Sequence, residues 1–396
     1  MIAVLKQYPV TINLLLSSSL LLTLGRAVTL PYLIIYLSKN FNLGVGDTGL
    51  ILGGSMILGS LLSVYGGYLT DRFHRYRLIL CFTMFFIAGF AGMCATPNLW
   101  LFFGFLVAFN FAFSVLDVVV KAEFGRLLPI YEQSRVFSIR YTLINVGYAV
   151  GPFIGAGLAQ LSMKLPFIIS ACLGVIFFVA YWMHGERGSA TEQSHEGTSS
   201  FLSVGRLLLK DRRLVCFTLG GVFSAVVFGQ FSAYISQYLV TTSTPERAYE
   251  IISTVVAVNG AVVICLQYMI GRRISVERLN LWLILGLSLF LMAVVGFAMA
   301  TSLLHWALAM IIFTIGEIIV FPTEYMFIDR IAPPKLRGMY YGAQNLSNLG
   351  SAMGPVLCGL VLASYPPQWM FYMLSIFIVV GGCFYLLGAS IQGEKT

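Results

Sequence analysis

The chain has 396 residues, of which 58% are hydrophobic and only 10% charged, and its mean hydropathy is +0.87. A soluble globular chain carries roughly 25% charged residues, so a water-soluble enzyme or nucleic-acid-binding domain is excluded as the class. The formal net charge of +8 fits basic loops beside an anionic membrane surface, with no nucleic acid invoked.

A bilayer core about 30 Å thick is crossed by about 20 mostly apolar residues, and a helix satisfies its own backbone hydrogen bonds there. Runs of that kind fall at 12–38, 46–69, 77–96, 99–128, 136–161, 165–184, 213–240, 248–270, 279–300, 303–330, 338–364 and 369–391. They predict an all-α membrane protein with twelve transmembrane helices. The first span holds Arg26 within LLLTLGRAVTLPYLIIYL, with no other charge within ten residues on either side. Its apolar run is too long for a signal peptide, so it reads as a retained helix. In the second span Ser55, Gly59, Ser63 and Gly67 recur every four positions and make one smooth face. The fourth span carries Asp117, Lys121 and Glu123, the first two being four apart and so able to neutralise each other. Arg140 lies on the fifth span, ahead of Gly147, Gly151 and Gly155.

A long polar segment, HGERGSATEQSHEGTSSFLSVGRLLLKDRR, starts at His184, and its first half has a linker composition. It divides the chain into a six-helix bundle at 1–184, a cytoplasmic linker at 185–212 and a second bundle at 213–396. The tenth span contains Glu317 and Glu324, seven apart and therefore on one helical face about 10 Å apart along the axis. With both termini inside, the loops place eighteen Lys and Arg on the cytoplasmic side against three outside, Lys39, Lys164 and Arg247. The seven cysteines are scattered through apolar segments without metal-ligand spacing, so they read as small core residues.

The two halves repeat each other. NVGYAVGPFIGAGLA from Asn145 matches NLGSAMGPVLCGLVLA from Asn348 at an offset of 203, and Gly25-Arg26 meets Gly229-Gln230 at 204. GRLLP and DRIAPP end the fourth and tenth spans alike. A parallel repeat of six helices implies two pseudo-symmetric bundles with a site between them near the midplane.

These features resemble the major facilitator superfamily. The loop after the second span, GGYLTDRFHRYRLIL, resembles its signature G-x-L-x-D-R-x-G-R through Gly67, Leu69, Asp71, Arg72 and Arg75, with His74 at a usual glycine. QYMIGRRISVER is a weaker echo after the eighth span. GYAVGPFIGAG, with Gly147, Gly151, Pro152 and Gly155, resembles the helix 5 pattern of the antiporter branch, although the arginine those proteins often carry in the fourth span is missing. Small bacterial drug and metabolite exporters, including the dipeptide-exporting kind, are similar overall. The resemblance implies a central cavity lined by spans 1, 4, 7 and 10, packing of span 2 on span 11 and of span 5 on span 8, and a conformational switch at Gly67, Asp71, Arg72 and Arg75.

A charge at bilayer depth costs at least about 2.5 kcal/mol and needs a partner, a wet cavity or a function. The charged residues well inside the spans, clear of their ends, are Arg26, Asp117, Lys121, Glu123, Arg140, Glu317 and Glu324, and all except Arg140 fall on the implied cavity helices, with Gln230 at the repeat position of Arg26. Arg26 and Glu317 sit near mid-span. Desolvation favours the protonated form of a carboxyl, so an acid there can carry a proton, whereas arginine stays charged and suits a carboxylate. The expected substrate and coupling residues are therefore Arg26, Asp117, Lys121, Gln230, Glu317 and Glu324. The function that follows is proton-coupled efflux of a small amphipathic solute (drug, dipeptide, amino acid or metabolite) by alternating access. A bacterial inner-membrane monomer is expected, with the proton as coupling ion, the bilayer as surroundings and no cofactor, metal or catalytic group. The alternatives are proton-coupled uptake or facilitated diffusion and, from another class, a receptor or channel.

Overall fold

The computed structural model describes residues 7–43, 45–187 and 201–391. Positions 188–200 of the predicted linker lie outside the described residues. The first six helices are α1 (Val10–Phe41), α2 (Val45–Arg72), α3 (Arg75–Ala95), α4 (Leu99–Leu127), α5 (Ile130–Leu161) and α6 (Leu165–His184). Within the predicted linker lies α7 (Phe201–Lys210), followed by α8 (Arg212–Phe228), α9 (Phe231–Thr242), α10 (Pro245–Gly271), α11 (Leu279–Ala298) and α12 (Leu303–Ile331), then α13 (Arg337–Gln344), α14 (Asn348–Ser364) and α15 (Trp369–Ser390). Among the described residues there is no strand. Among the described residues, eleven helices are long and apolar enough to cross a membrane, with α13 and α14 counted as one, and α8 with α9 make a twelfth if that bent pair is one span.

Three departures from the predicted spans have local causes. The fifth helix begins at Ile130, six residues early, because Pro129 with φ −62° occupies its N-cap and the polar Gln133 and Ser134 are buried instead of solvated. The seventh span breaks between Phe228 and Phe231, where its two parts meet at 43° and Gln230 leaves the helical region with φ −141° and ψ 43°. Gly229 precedes the break, and a Cβ there would overlap the Ser351 hydroxyl of α14. The eleventh span is α13 and α14 joined by a 3-10 turn at Asn345–Ser347.

The residues form two compact units, each of which takes a segment from the other sequence half. The first comprises Met1–Pro129, Ile139–Ser199 and Pro333–Asn345; the second comprises Ile130–Ser138, Ser200–Ala332 and Leu346–Thr396. In the first unit α2 packs on α4 and α13, α3 on α4 and α6, and α1 on α6. Its aromatic centre is Phe86, Phe90 and Phe109, with Phe90 and Phe109 ring centres 4.5 Å apart. In the second unit α12 packs on α10 and α11, and α8 on α14 and α15.

Lipid is as apolar as leucine, so helices in it associate through close backbone approach and interhelical hydrogen bonds. The α2 face of small residues divides between two neighbours: Gly59 meets Asn110 of α4, whereas Gly67 and Ser63 meet Gly338 and Gly342 of α13. The α5 glycines Gly147, Gly151 and Gly155 lie against Leu24, Ala27 and Val28 of α1, whereas α10, the neighbour that family architecture implied, meets the first turns of α5, where the Ser134 hydroxyl donates to the Gly271 carbonyl. Between α1 and α5 the Tyr32 hydroxyl also donates to the Pro152 carbonyl at 2.9 Å. Equivalent glycines in α14, Gly350 and Gly354, approach Val222 and Val226 of α8.

The repeat extends to hydrogen bonds. Asn110 donates to Ser55 at 3.1 Å in the first unit, and Asn259 donates to Thr314 at 3.1 Å in the second. Ser55 and Asn259 are 204 positions apart, as are Asn110 and Thr314. The geometry therefore persists while the donor has moved to the other helix.

Candidate functional site

In the first unit, among the described residues, the charges inside the spans form two clusters, and half-buried Arg26 stands apart from both. Asp117 accepts Lys121 from its own helix at 2.7 Å and is also ion-paired with Arg140 of α5. Lys121 is buried and donates to the side-chain oxygens of Asn345 at 3.0 Å and Gln344 at 3.4 Å. The pair expected within α4 is thus a triad with a polar lid from the end of α13, one acid against two cations. Glu123, also buried, is paired with Arg75 at 2.9 Å and with Arg126 at 2.9 Å.

Arg26 is different. Its guanidinium carbon lies 4.7 Å from the centre of the Phe113 ring, and its buried Nε has no hydrogen-bond partner. Within this unit, among the described residues, no carboxylate lies within ion-pair distance of it. A cation–π contact is worth about 0.5–2 kcal/mol, depending on how far the cation is desolvated. That offsets only part of the roughly 2.5–3.5 kcal/mol for an arginine at the centre of a membrane helix. The arrangement favours an additional anion.

Asp71 leaves its helix end to accept the backbone N–H groups of Gly338 at 2.6 Å and Met339 at 2.8 Å. These are the second and third residues of α13, whose own N-cap, Leu336, supplies no side-chain acceptor. Asp71 is therefore an N-cap supplied from another helix, and its charge also favours the positive end of the α13 dipole. Gly67 and Gly338 permit the approach, since a Cβ on either would overlap the other's backbone. Of the remaining signature residues, Arg75 serves Glu123, while exposed Arg72 lies over the Tyr68 ring at 5.7 Å.

In the second unit Glu317 is buried, and one of its oxygens accepts the Asn259 side-chain amide of α10 at 2.8 Å. Glu324 is also buried and accepts the Tyr385 hydroxyl of α15. The two acids, placed on one face by their spacing, thus bond to different neighbouring helices. Gln230 is exposed at the break between α8 and α9. Gln133 of α5 donates to buried Asp329 of α12 at 2.8 Å.

Scanning spans for ionisable groups misses the amides. Asn110, Asn259, Gln133, Gln344 and Asn345 are all buried and hydrogen-bonded. The signal available is an uncharged amide inside or beside an apolar run, which carries a desolvation cost of its own. Asp329 escapes the same scan because it stands one residue before the end of its span, in DRIAPP ahead of Pro333 and Pro334, where an acid reads as belonging to the wet helix end.

The profile described as Major Facilitator Superfamily matches residues 15–348. The MFS-type transporter YdeE of Escherichia coli (strain K12), itself uncharacterized, is 36% identical over 378 residues, covering 94% of each chain. A Na(+), Li(+), K(+)/H(+) antiporter of Planococcus maritimus is 26% identical over 403 residues, covering 92% of each. The solved structure of the transporter FucP in its outward conformation is similar with a TM-score of 0.77 at 14% identity, covering 96% of this chain and 99% of that one. From its membrane helices, its internal repeat and these matches, the chain belongs to the major facilitator superfamily.

Proposed function

We propose that this transporter exports a small amphipathic solute in exchange for protons, by alternating access across a bacterial inner membrane with both termini cytoplasmic. Its halves are then 1–184 and 213–396, joined by the linker at 185–212. The observation that carries the substrate side is Arg26, a cation in the apolar interior of α1 with an aromatic ring beneath it and, among the described residues of its unit, no carboxylate at ion-pair distance. Such a group binds a carboxylate-bearing or otherwise anionic part of the solute. On the coupling side stands Glu317, buried and held by the Asn259 amide, whose charge changes when it takes or releases a proton. The Planococcus maritimus relative, an antiporter that uses protons, supports exchange as the mode.

Asp71 and Arg75 act as the switch in this proposal. The α13 cap and the Glu123 pair tie the end of α2 and the start of α3 to their neighbours, and their release accompanies opening of that face. Asp117 and Lys121 hold a second tie through Asn345.

Two measurements test the assignment. In proteoliposomes with an imposed pH gradient, Glu317→Gln is expected to abolish gradient-driven transport while leaving solute exchange at equilibrium; undiminished gradient-driven transport would remove Glu317 from the coupling role. A thermal-shift screen of peptides, amino acids, sugars and drugs should find stabilising ligands that carry a carboxylate, with the stabilisation lost in Arg26→Ala. Ligands that stabilise both proteins equally would show that Arg26 does not meet the substrate.

A further inference from the structure

The second unit contains a recess of about 330 Å³ that the transport site does not use. It is lined by Tyr131, Glu132 and Arg135 from the first turns of α5 and by Tyr268 and Arg272 at the end of α10. The guanidinium carbons of Arg135 and Arg272 lie 5.9 Å and 5.8 Å from the centre of the same Tyr268 ring, and Arg135 Nε donates to the Tyr268 hydroxyl at 3.2 Å. One ring therefore gathers two cations whose mutual repulsion an anion would relieve. Glu132 balances one of them and leaves the recess with a single net positive charge. Exposed Arg272 has no carboxylate at ion-pair distance among the described residues.

The surroundings select the kind of anion. Ala261, Ile264 and Cys265 precede Tyr268 at helical spacing on one face of α10, and all three are exposed. Ile130 and Tyr131 flank the recess at 61% and 80% exposure. A charged pocket thus ends an open apolar stripe, which matches a phosphate headgroup with an acyl chain behind it; a soluble anion would need the pocket alone. This end also carries the Lys- and Arg-rich loops.

We propose that the recess binds the phosphate of an anionic phospholipid, such as phosphatidylglycerol, with the chain lying along α10. The lipid then bridges α5 to α10 beside the hydrogen bond from the Ser134 hydroxyl to the Gly271 carbonyl. It reinforces a contact between the two sequence halves inside one unit. The inference rests on the membrane fold and on this cluster, not on the direction of transport or on proton coupling.

Thermal unfolding of the purified full-length protein in a neutral detergent tests it. Phosphatidylglycerol is expected to raise the midpoint more than phosphatidylethanolamine does, and inorganic phosphate is expected to leave it unchanged. Arg272→Gln, an exposed substitution that should not disturb folding, is expected to lose more than about half of the phosphatidylglycerol-specific gain, since it removes one of the two cations. Arg278→Gln, exposed in the same loop but outside the recess, is expected to retain it. Native mass spectrometry should show one phosphatidylglycerol retained by the parent protein and lost from Arg272→Gln. An unchanged gain in Arg272→Gln, an equal loss in Arg278→Gln, or the same gain from inorganic phosphate would each overturn the site.

Discussion

At Asp117 one carboxylate faces two cations, and this imbalance orders the consequences of removing each. Without Asp117, Lys121 and Arg140 both lose the carboxylate that pairs with them; without Lys121, Asp117 keeps its pair with Arg140. Breaking a buried ion pair from one side costs about 3–5 kcal/mol. Asp117→Asn is therefore expected to lower the unfolding midpoint in detergent far more than Lys121→Met does, and the reverse order would refute this charge accounting. Asp71 makes a second residue-scale case. Loss of an N-cap costs about 0.5–2 kcal/mol, so Asp71→Ala should destabilise measurably by the same assay. Arg72→Gln, whose partner among the described residues is Tyr68 on its own helix, should be close to neutral.

At the scale of elements, α2 shows why a small residue has a different meaning at each turn. A Cβ at Gly67 would overlap the Gly338 carbonyl, whereas one at Gly53 meets nothing within 4 Å. Alanine is favoured over glycine in a helix by up to about 1 kcal/mol. Gly53→Ala should thus be neutral or stabilising, and Gly67→Ala should separate α2 from α13 and weaken the Asp71 cap. Comparing the two melting temperatures checks the claim, and equal effects would mean that α13 yields without cost. The break between α8 and α9 follows the same logic in reverse: Gly229 leaves room for the Ser351 side chain at close range, and the chain departs from helical geometry at the next residue.

For the whole molecule, the central fact is that each unit is completed by the other sequence half. The first unit needs α13, which lies beyond residue 330, and the second needs the first turns of α5. When the chain is expressed as fragments 1–187 and 201–396, the fragments are expected to copurify, and the first should resist proteolysis less when made alone. Asp71→Ala should reduce copurification, because its two backbone bonds join the fragments. Unaltered protease resistance of the isolated first fragment would contradict the need for α13.

The membrane class, the places of the helices and the repeat of six were determined by the sequence alone, since apolar length and periodicity are local quantities that the bilayer reads directly. So were the positions of Arg26 and Glu317 deep in their spans. Partners were another matter. Lys121 was legible as a neighbour of Asp117 because one helix fixes their spacing, but Arg140 joins them from α5, and Asn345 from more than 200 residues away. Asp71 was legible as part of the loop signature after the second span, while the helix it caps and the two amides it accepts from depend on α2 meeting α13. The glycines of α5 announced a close approach without naming α1 as the surface approached. Only the tertiary structure decided these pairings, because hydrogen bonds and ion pairs act over a few ångströms in space, and a linear pattern records which face a residue occupies but not what lies across from it.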